Sequence, residues 1–281
     1  MLSDPDPDPD PVWSLPAPGE LRLTLAARAA GQGVVVRIRP PQGPAPAAGW
    51  PSLWLLDGDA TFPLTAPGAG LVVAIAFPSG ERFDTPRRSE AFTPPPDAET
   101  GAPRSGPVHG GAARFRQFLL QVLRPLVAAR WPLDPGATVL FGFSYGGLFA
   151  CDTLLAAPGS FARIWAASPS LWFSDRQLLR RLAAGGTALQ TPGAARPEVT
   201  ITAGCHEQHP PPSTAPERRA HLARRAMLDT TAAFARGLRA AGLPVTLVHA
   251  EGADHFAMLA PGVRGAQAAA FAPFSRPDHP L

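Results

Sequence analysis

The chain has 281 residues, of which 45% are hydrophobic and 17% are charged. This is enough apolar material for one large globular core, so the composition excludes an intrinsically disordered protein. The formal net charge is only +3, and the 25 basic residues, all of them arginine, are scattered along the chain. Because a nucleic-acid-binding surface needs clustered basic residues, we expect no nucleic-acid partner.

Cysteine content and the N-terminal sequence narrow the class further. Cys151 and Cys205 are too few for a disulfide framework, and they do not have the spacing of metal ligands. No stretch of about 18 apolar residues occurs, which predicts no membrane span. The first residues repeat Asp-Pro and have neither the basic nor the apolar region of a signal peptide. We therefore expect a disordered tail over residues 1–18, a single domain over 19–281 and a cytoplasmic protein without a bound metal.

In chain order, the apolar pattern first predicts an antiparallel pair of strands and then an alternation of strands and helices. The predicted strands are residues 20–29, 33–39, 53–56, 71–77, 137–141, 162–167, 198–202 and 245–250, and the predicted helices are 114–130, 147–155, 174–184 and 217–241. Such βαβ order is typical of an α/β fold with a mainly parallel, doubly wound sheet between two helical layers. Ligands of such sheets bind at the carboxyl ends of the strands.

The most informative segment is Gly142-Phe143-Ser144-Tyr145-Gly146. It follows an apolar, strand-like run and precedes a run that is compatible with a helix, which is the context of a nucleophile elbow. A serine in that sharp turn stands clear of the sheet, and glycine two residues to either side lets strand and helix approach closely. The segment therefore predicts Ser144 as a catalytic nucleophile.

A serine hydroxyl is a weak nucleophile without a general base, and His255 is placed to supply one. It lies in a loop directly after the predicted strand 245–250, so its ring can reach the carboxyl edge of the sheet near Ser144. The less suitable histidines, which lie within a strand or have no strand before them, are His249, His109 and His279.

The third member of a triad is an acid that orients the imidazole. Glu207 comes shortly after the predicted strand 198–202 and is in position to bind the second ring nitrogen. Asp254 is the rival, although a side chain adjacent to His255 must fold back to reach that nitrogen. A dyad without an acid is the third alternative.

Acyl transfer also needs two hydrogen-bond donors directed at the developing oxyanion. The backbone N–H of Tyr145, the residue after the nucleophile, is the first. We expect the second in the loop 57–60, with the N–H of Asp59 favoured over those of Gly58 and Ala60.

Five segments together resemble a serine esterase family of the α/β-hydrolase superfamily, and they are residues 55–60, 110–111, 142–149, 167–172 and 251–255. This family includes the ferric-siderophore esterases, which hydrolyse trilactones of the enterochelin and salmochelin type, and also the S-formylglutathione hydrolases. The resemblance implies an α/β-hydrolase fold and a serine hydrolase without a cofactor. It also implies Ser144 as nucleophile, His255 as base and Glu207 as acid. Phe143 departs from the family, whose siderophore esterases usually carry histidine there.

The siderophore branch of the family is indicated by the segment 168–172 and by the stretch 79–88, which is expected to hang over the site as a loop. Arg87 and Arg88 in this loop would suit a strongly anionic ferric tris-catecholate, since arginine pairs with oxyanions and stacks on aromatic rings. The alternative is that both are solvated loop residues. Trp172 is expected either to stack on the substrate or to wedge the adjoining helix.

These observations lead to one expected function and two alternatives. We expect a carboxylic-ester hydrolase that forms an acyl-enzyme and opens the ester backbone of a catecholate siderophore to release iron. The first alternative is a general carboxyl or acyl esterase, similar to the S-formylglutathione hydrolases, that acts on a neutral substrate. The second is a catalytically silent binding protein of the same fold, which the presence of Ser144, His255 and the oxyanion loop disfavours.

Overall fold

A nine-stranded sheet runs through the part of the chain that the computed structural model describes, which is residues 11–26, 30–97, 106–185, 187–191 and 193–272. Its strands are β1 (Val12–Ala17), β2 (Glu20–Leu25), β3 (Val34–Arg39), β4 (Trp50–Leu55), β5 (Leu71–Ala76), β6 (Leu133–Phe143), β7 (Arg163–Ala167), β8 (Glu198–Gly204) and β9 (Val245–Ala250). Their order across the sheet is β1-β2-β3-β5-β4-β6-β7-β8-β9. The strands β1, β2 and β3 run antiparallel to their neighbours, whereas the pairs from β5 to β9 are parallel.

Helices connect the parallel strands and cover the sheet. Within the described ranges they are α1 (Gly58–Thr61), α2 (Thr85–Phe92), α3 (Ala112–Phe118), α4 (Arg124–Arg130), α5 (Tyr145–Ala156), α6 (Phe173–Ala183), α7 (Pro216–Arg225), α8 (Met227–Ala240) and α9 (Leu259–Phe271). A π-helical turn, Leu119–Leu123, joins α3 to α4. The 3₁₀ turns are Phe62–Leu64, Pro158–Ser160, Ala188–Gln190, Cys205–Glu207 and Phe256–Met258.

Two apolar cores hold the layers together, because successive side chains of a strand point to opposite faces of the sheet. On one face, Leu53 and Leu55 of β4 belong to the core that also contains Val263 of α9. On the other face, Trp54 of the same strand belongs to the core that contains Phe149 of α5. Full burial of such a side chain stabilises the fold by about 1.5–3 kcal/mol. The result is the predicted α/β sheet between two helical layers.

Residues 12–17 lie within the predicted disordered tail, yet they form the edge strand β1, so the predicted boundary at residue 18 is wrong. β1 pairs with β2, and the ring of Trp13 packs against Trp131 with 6.1 Å between the ring centroids. Pro16 is compatible with this strand because an edge strand has one side without partners. Residues 1–10 of the predicted tail and 273–281 of the predicted domain lie outside the described residues.

Two predicted helices are interrupted, each for a local reason. The helix predicted over 114–130 passes through the π-helical turn, because Pro125 has no N–H to donate to the carbonyl four residues before it. The helix predicted over 217–241 is two helices, α7 and α8, because Ala226 between them adopts the left-handed conformation with a φ of 48°. A left-handed residue changes the direction of the chain, so α7 departs from the axis of α8.

The close approach of β6 and α5 leads to a prediction for stability. A Cβ atom on residue 142 would lie 2.0 Å from the carbonyl oxygen of Gly146, so Gly142→Ala would force the elbow apart. We expect this variant to lose about 3 kcal/mol of unfolding free energy, measured by urea denaturation followed by circular dichroism. Gly159→Ala is the matched control, because its Cβ would make an ordinary contact of 3.5 Å with Ala195. Equal stability of the two variants would contradict this account.

Candidate active site

The turn between β6 and α5 has the geometry of a nucleophile elbow. Ser144 has a φ of 57° and a ψ of −116°, which is a strained conformation for a residue with a side chain. Its N–H donates to the carbonyl of Ala167 at 3.0 Å. Its own carbonyl accepts from the N–H groups of Leu148, at 2.9 Å, and of Ser170, at 3.1 Å. These bonds hold the strained residue between β7 and the first turn of α5, and its side chain remains partly exposed.

Glu207 and His255 form a close acid–base pair. Oε2 of Glu207 lies 2.5 Å from Nδ1 of His255. The other oxygen of this carboxylate, Oε1, accepts from Ser168 Oγ at 2.6 Å and from the Gly204 N–H at 2.8 Å. Because an ionised carboxylate only accepts hydrogen bonds, Nδ1 is the donor and Nε2 is the basic nitrogen. With Glu207 only 3% exposed, this partner fixes the tautomer and the orientation of the imidazole.

Asp254, the rival acid, is engaged elsewhere. Its Oδ1 accepts from the N–H of Ala257 at 2.9 Å and so caps the 3₁₀ turn after the histidine. The residue is exposed, in contrast to Glu207. The geometry therefore favours Glu207 among the predicted alternatives.

The imidazole of His255 lies beside the elbow. Its ring packs on Phe143, the residue before the nucleophile, with 4.6 Å between the ring centroids. Within the described residues, the hydrogen-bond partner of Ser144 Oγ is Ser170 Oγ at 3.4 Å, and the serine does not bond to His255. Catalytic hydrogen bonds are often long or misaligned before substrate binds.

The loop after β4 contains the three N–H groups that were predicted as candidates for the second oxyanion donor. Asp57 has a φ of 52°, and its carbonyl accepts from the N–H groups of Ala60 at 2.9 Å and Thr61 at 3.0 Å. The N–H of Ala60 is therefore already bonded to Asp57, which excludes it as an oxyanion donor. Within the described residues, the N–H groups of Gly58 and Asp59 have no backbone partner, and neither has the N–H of Tyr145 at the start of α5. Of the three predicted candidates for the second donor, Gly58 and Asp59 remain.

Arg88 connects this loop to the elbow and does not form the predicted substrate contact. Its Nε and Nη2 donate to the two carboxylate oxygens of Asp57 at 2.8 and 3.0 Å, and Nη2 also donates to the carbonyl of Phe143 at 3.2 Å. The side chain is buried and its guanidinium lies against the rings of Phe83 and Tyr145. Because the planar fork is already bound, Arg88 positions the loop and the elbow instead of an anionic substrate.

Arg87 and Arg88 also lie on helix α2 and not in the predicted loop. The carboxylate of Asp84 caps this helix by accepting from the N–H of Arg87 at 3.0 Å, and Pro86 stands in the first turn, as helix starts favour. Although burial opposes it, hydrogen bonds from Ser79 and Arg87 hold the pKa of Asp84 below its usual value. The guanidinium of Arg87 pairs with Asp84 at 2.7 Å and is 44% exposed. Its contacts within the described residues do not include Ser144, Glu207 or His255.

Trp172 lies beside Tyr145, the residue after Ser144, and has a neighbour that the sequence analysis missed. Its ring is 6.2 Å from that of Tyr145, measured between centroids. The guanidinium carbon of Arg225 lies over the ring of Trp172, 4.3 Å from the ring centroid. Arg225 ends helix α7, and it was missed because the sequence pattern predicted one unbroken helix through this position. The break at Ala226 is what places it here.

The described residues meet the requirements of neither a metal site nor a membrane-spanning helix. No set of three or more histidine, cysteine, aspartate or glutamate side chains in the described ranges is arranged to bind a metal ion. Among the described residues, no helix is long and apolar enough to cross a bilayer.

Comparison with known proteins places the chain among esterases. The sequence model of the Putative esterase family matches residues 27–237. The chain is 36% identical over 183 residues to a siderophore enterobactin esterase of Emericella nidulans, a match that covers 57% of this chain and 59% of the relative. It is 35% identical over 176 residues to a siderophore triacetylfusarinine C esterase of Aspergillus fumigatus, with 57% and 58% covered. The chain thus spans about three fifths of the length of these relatives.

A solved structure has a similar fold over most of its length. The siderophore hydrolase EstA from Aspergillus nidulans superposes with a TM-score of 0.75 at 28% identity, covering 90% of this chain and 95% of that one. The family match covers more than half of the chain. The strand order and the elbow after β6 agree with it. The chain belongs to the Putative esterase family and has its α/β-hydrolase fold.

Proposed function

We propose that this protein is a serine hydrolase that cleaves carboxylic esters through an acyl-enzyme. The observation that carries the proposal is the buried carboxylate of Glu207 bound at 2.5 Å to a histidine, His255, that packs beside the strained serine of the elbow. In a triad these three groups have the roles of acid, base and nucleophile. The chain order serine, acid, histidine is the order found in α/β-hydrolases.

The proposed reaction begins with attack of Ser144 Oγ on the ester carbonyl carbon while Nε2 of His255 takes the hydroxyl proton. The negative charge that develops on the carbonyl oxygen is stabilised by the N–H of Tyr145 and by that of Asp59 or Gly58. The bond to the leaving alcohol then breaks as Nε2 donates the proton to its oxygen. Water repeats the sequence on the acyl-enzyme and releases the acid and the free serine. Glu207 stays ionised throughout and stabilises the imidazolium.

We propose the ester backbone of a catecholate siderophore as the substrate, with release of iron as the consequence. Support for a siderophore ester as the substrate comes from the enterobactin esterase and the triacetylfusarinine C esterase among the relatives, both named for siderophores. A general esterase with a neutral substrate is the second candidate, since the exposed ring of Phe256 next to His255 supplies an apolar rim. The bonds that orient His255 and the strained elbow argue against a silent binding protein. The cytoplasmic location remains a prediction.

The first test concerns the nucleophile. Ser144→Ala should reduce turnover on the order of 10³-fold or more, because the residual rate comes only from binding and the oxyanion donors. The assay is release of p-nitrophenol from a short acyl ester, with the melting temperature as a check of folding. Ser170→Ala is the matched control, since it removes the hydroxyl that bonds to Ser144 but not the nucleophile. Near wild-type turnover by Ser144→Ala would overturn the assignment.

The second test separates the acids. Glu207→Gln should reduce turnover on the order of 10² to 10⁴-fold, because the amide no longer holds the imidazole in the required tautomer or stabilises its charged form. Asp254→Asn should have a far smaller effect, as its carboxylate caps a turn. Steady-state kinetics on one ester decides between them. If both variants keep near wild-type rates, the enzyme works as a dyad.

The third test concerns the substrate class. The pure protein is incubated with a ferric catecholate trilactone and, separately, with p-nitrophenyl acetate, and the products are followed by mass spectrometry. We expect the trilactone to be converted to linear esters with a kcat/KM above that for the small neutral ester, since binding of a larger substrate lowers the barrier. Efficient hydrolysis of neutral esters with an intact trilactone would instead support the general esterase.

A further inference from the structure

Helix α7 is a basic helix with little apolar surface to bury. Its sequence contains four arginines and one histidine against one glutamate, and within it Leu222 is buried. Arg218, His221 and Arg225 are spaced by three and four residues, so they share one face of the helix. The helix follows the 3₁₀ turn that carries Glu207, and the left-handed residue Ala226 separates it from α8. The basic face of α7 therefore follows, in the chain, the turn that carries Glu207 at the carboxyl edge of the sheet.

Two neighbouring aromatic rings connect Arg225, on this basic face, to the residue after the nucleophile. Its guanidinium lies over Trp172, and the ring of Trp172 neighbours that of Tyr145, which directly follows Ser144. The same cation acts electrostatically on the Tyr145 hydroxyl and on Glu207. Arg225 therefore lies at the edge of the site, next to the loop 168–172, whose two serines bond to Ser144 and to Glu207.

The charge of Arg225 is partly buried, and the carboxylate of Glu207 acts on it only from beyond ion-pair distance. Burial lowers the pKa of this arginine, as expected for a cation that has lost water. Arg88 and Arg116 are balanced by the carboxylates of Asp57 and Asp152, whereas Arg124, like Arg225, lies over an aromatic ring without an ion pair among the described residues. Among the described residues Arg225 has no such ion pair, and its close contact is the face of Trp172. An incompletely solvated cation without a close ion pair is stabilised when an anion binds beside it.

We propose that Arg225 and Trp172 form a subsite that holds an anionic aromatic arm of the substrate. The inference rests on the proposed function, and it assigns the role of cation to Arg225 in place of Arg87 and Arg88. The ring of the arm packs against the part of Trp172 that Arg225 leaves uncovered, while its phenolate oxygens accept from the guanidinium. The ester that joins this arm to its neighbour then lies over Ser144.

This subsite distinguishes two classes of siderophore. A ferric tris-catecholate is an anion, whereas a ferric tris-hydroxamate is neutral and has no aromatic ring to stack. The two relatives are named for different siderophores, enterobactin and triacetylfusarinine C. The unpaired cation on an aromatic ring indicates that this chain selects the catecholate class.

The test measures binding apart from turnover. Chains with Ser144→Ala, alone or with Arg225→Gln or Arg224→Gln, are titrated by calorimetry with a hexadentate ferric tris-catecholate whose arms are joined by amides. A hexadentate ferric tris-hydroxamate is the neutral comparison. Arg224→Gln is the matched control, because it removes the same charge from the same helix at an exposed position. Circular dichroism verifies that each variant is folded.

We expect Arg225→Gln to raise the Kd of the tris-catecholate about tenfold, as for the loss of a hydrogen bond to a charged group. Arg224→Gln should change it by less than about twofold, and the weak binding of the tris-hydroxamate should be the same in all variants. Equal effects of the two substitutions, equal weakening of both ligands, or no binding of the tris-catecholate would each overturn the subsite. Failure of the wild-type enzyme to open a trilactone, with the Arg225 contrast intact, would overturn the proposed function and leave the subsite.

Discussion

The buried ion pair between Arg88 and Asp57 is the interaction on which the geometry of the site depends. One guanidinium binds both oxygens of the carboxylate that begins the oxyanion loop and also the carbonyl of Phe143, the last residue before the nucleophile. Breaking a buried pair by removing one partner typically costs about 3–5 kcal/mol, because an uncompensated charge remains. The pair therefore ties the loop after β4 to the elbow after β6, so that the backbone donors and Ser144 keep a fixed separation.

The remaining site residues reach this point because parallel strands end at one edge of the sheet. Glu207 comes shortly after β8 and His255 shortly after β9, and both strands are paired in register with their neighbours. Ser168 and Ser170, in the loop after β7, bond to the acid and to the nucleophile, respectively. This loop thus links Glu207 to Ser144 at that edge, and Trp172, two residues after Ser170, extends the link to Arg225 on α7.

The elbow turn and the proximity of Glu207 to His255 could be predicted from the sequence because each is set by local chemistry, while their catalytic roles stay predictions. A strained serine needs its flanking glycines, and the triad residues must follow strands. What the sequence did not predict depends on tertiary contacts. The burial of Arg88 is determined by Asp57, 31 residues away. The break at Ala226 has no glycine or proline to mark it, and the strand β1 forms because β2 offers an edge to pair with. The importance of Arg225 follows from that break.

The central claim is that Ser144, activated by His255, is the group that takes the acyl chain from the substrate. The most direct measurement is labelling of the native protein with a fluorophosphonate, followed by mass spectrometry of its peptides. The account predicts a single adduct on Ser144 and a loss of labelling in His255→Ala, because the hydroxyl then has no base to take its proton. An adduct on another residue, or labelling that is unaffected by the loss of His255, would contradict it.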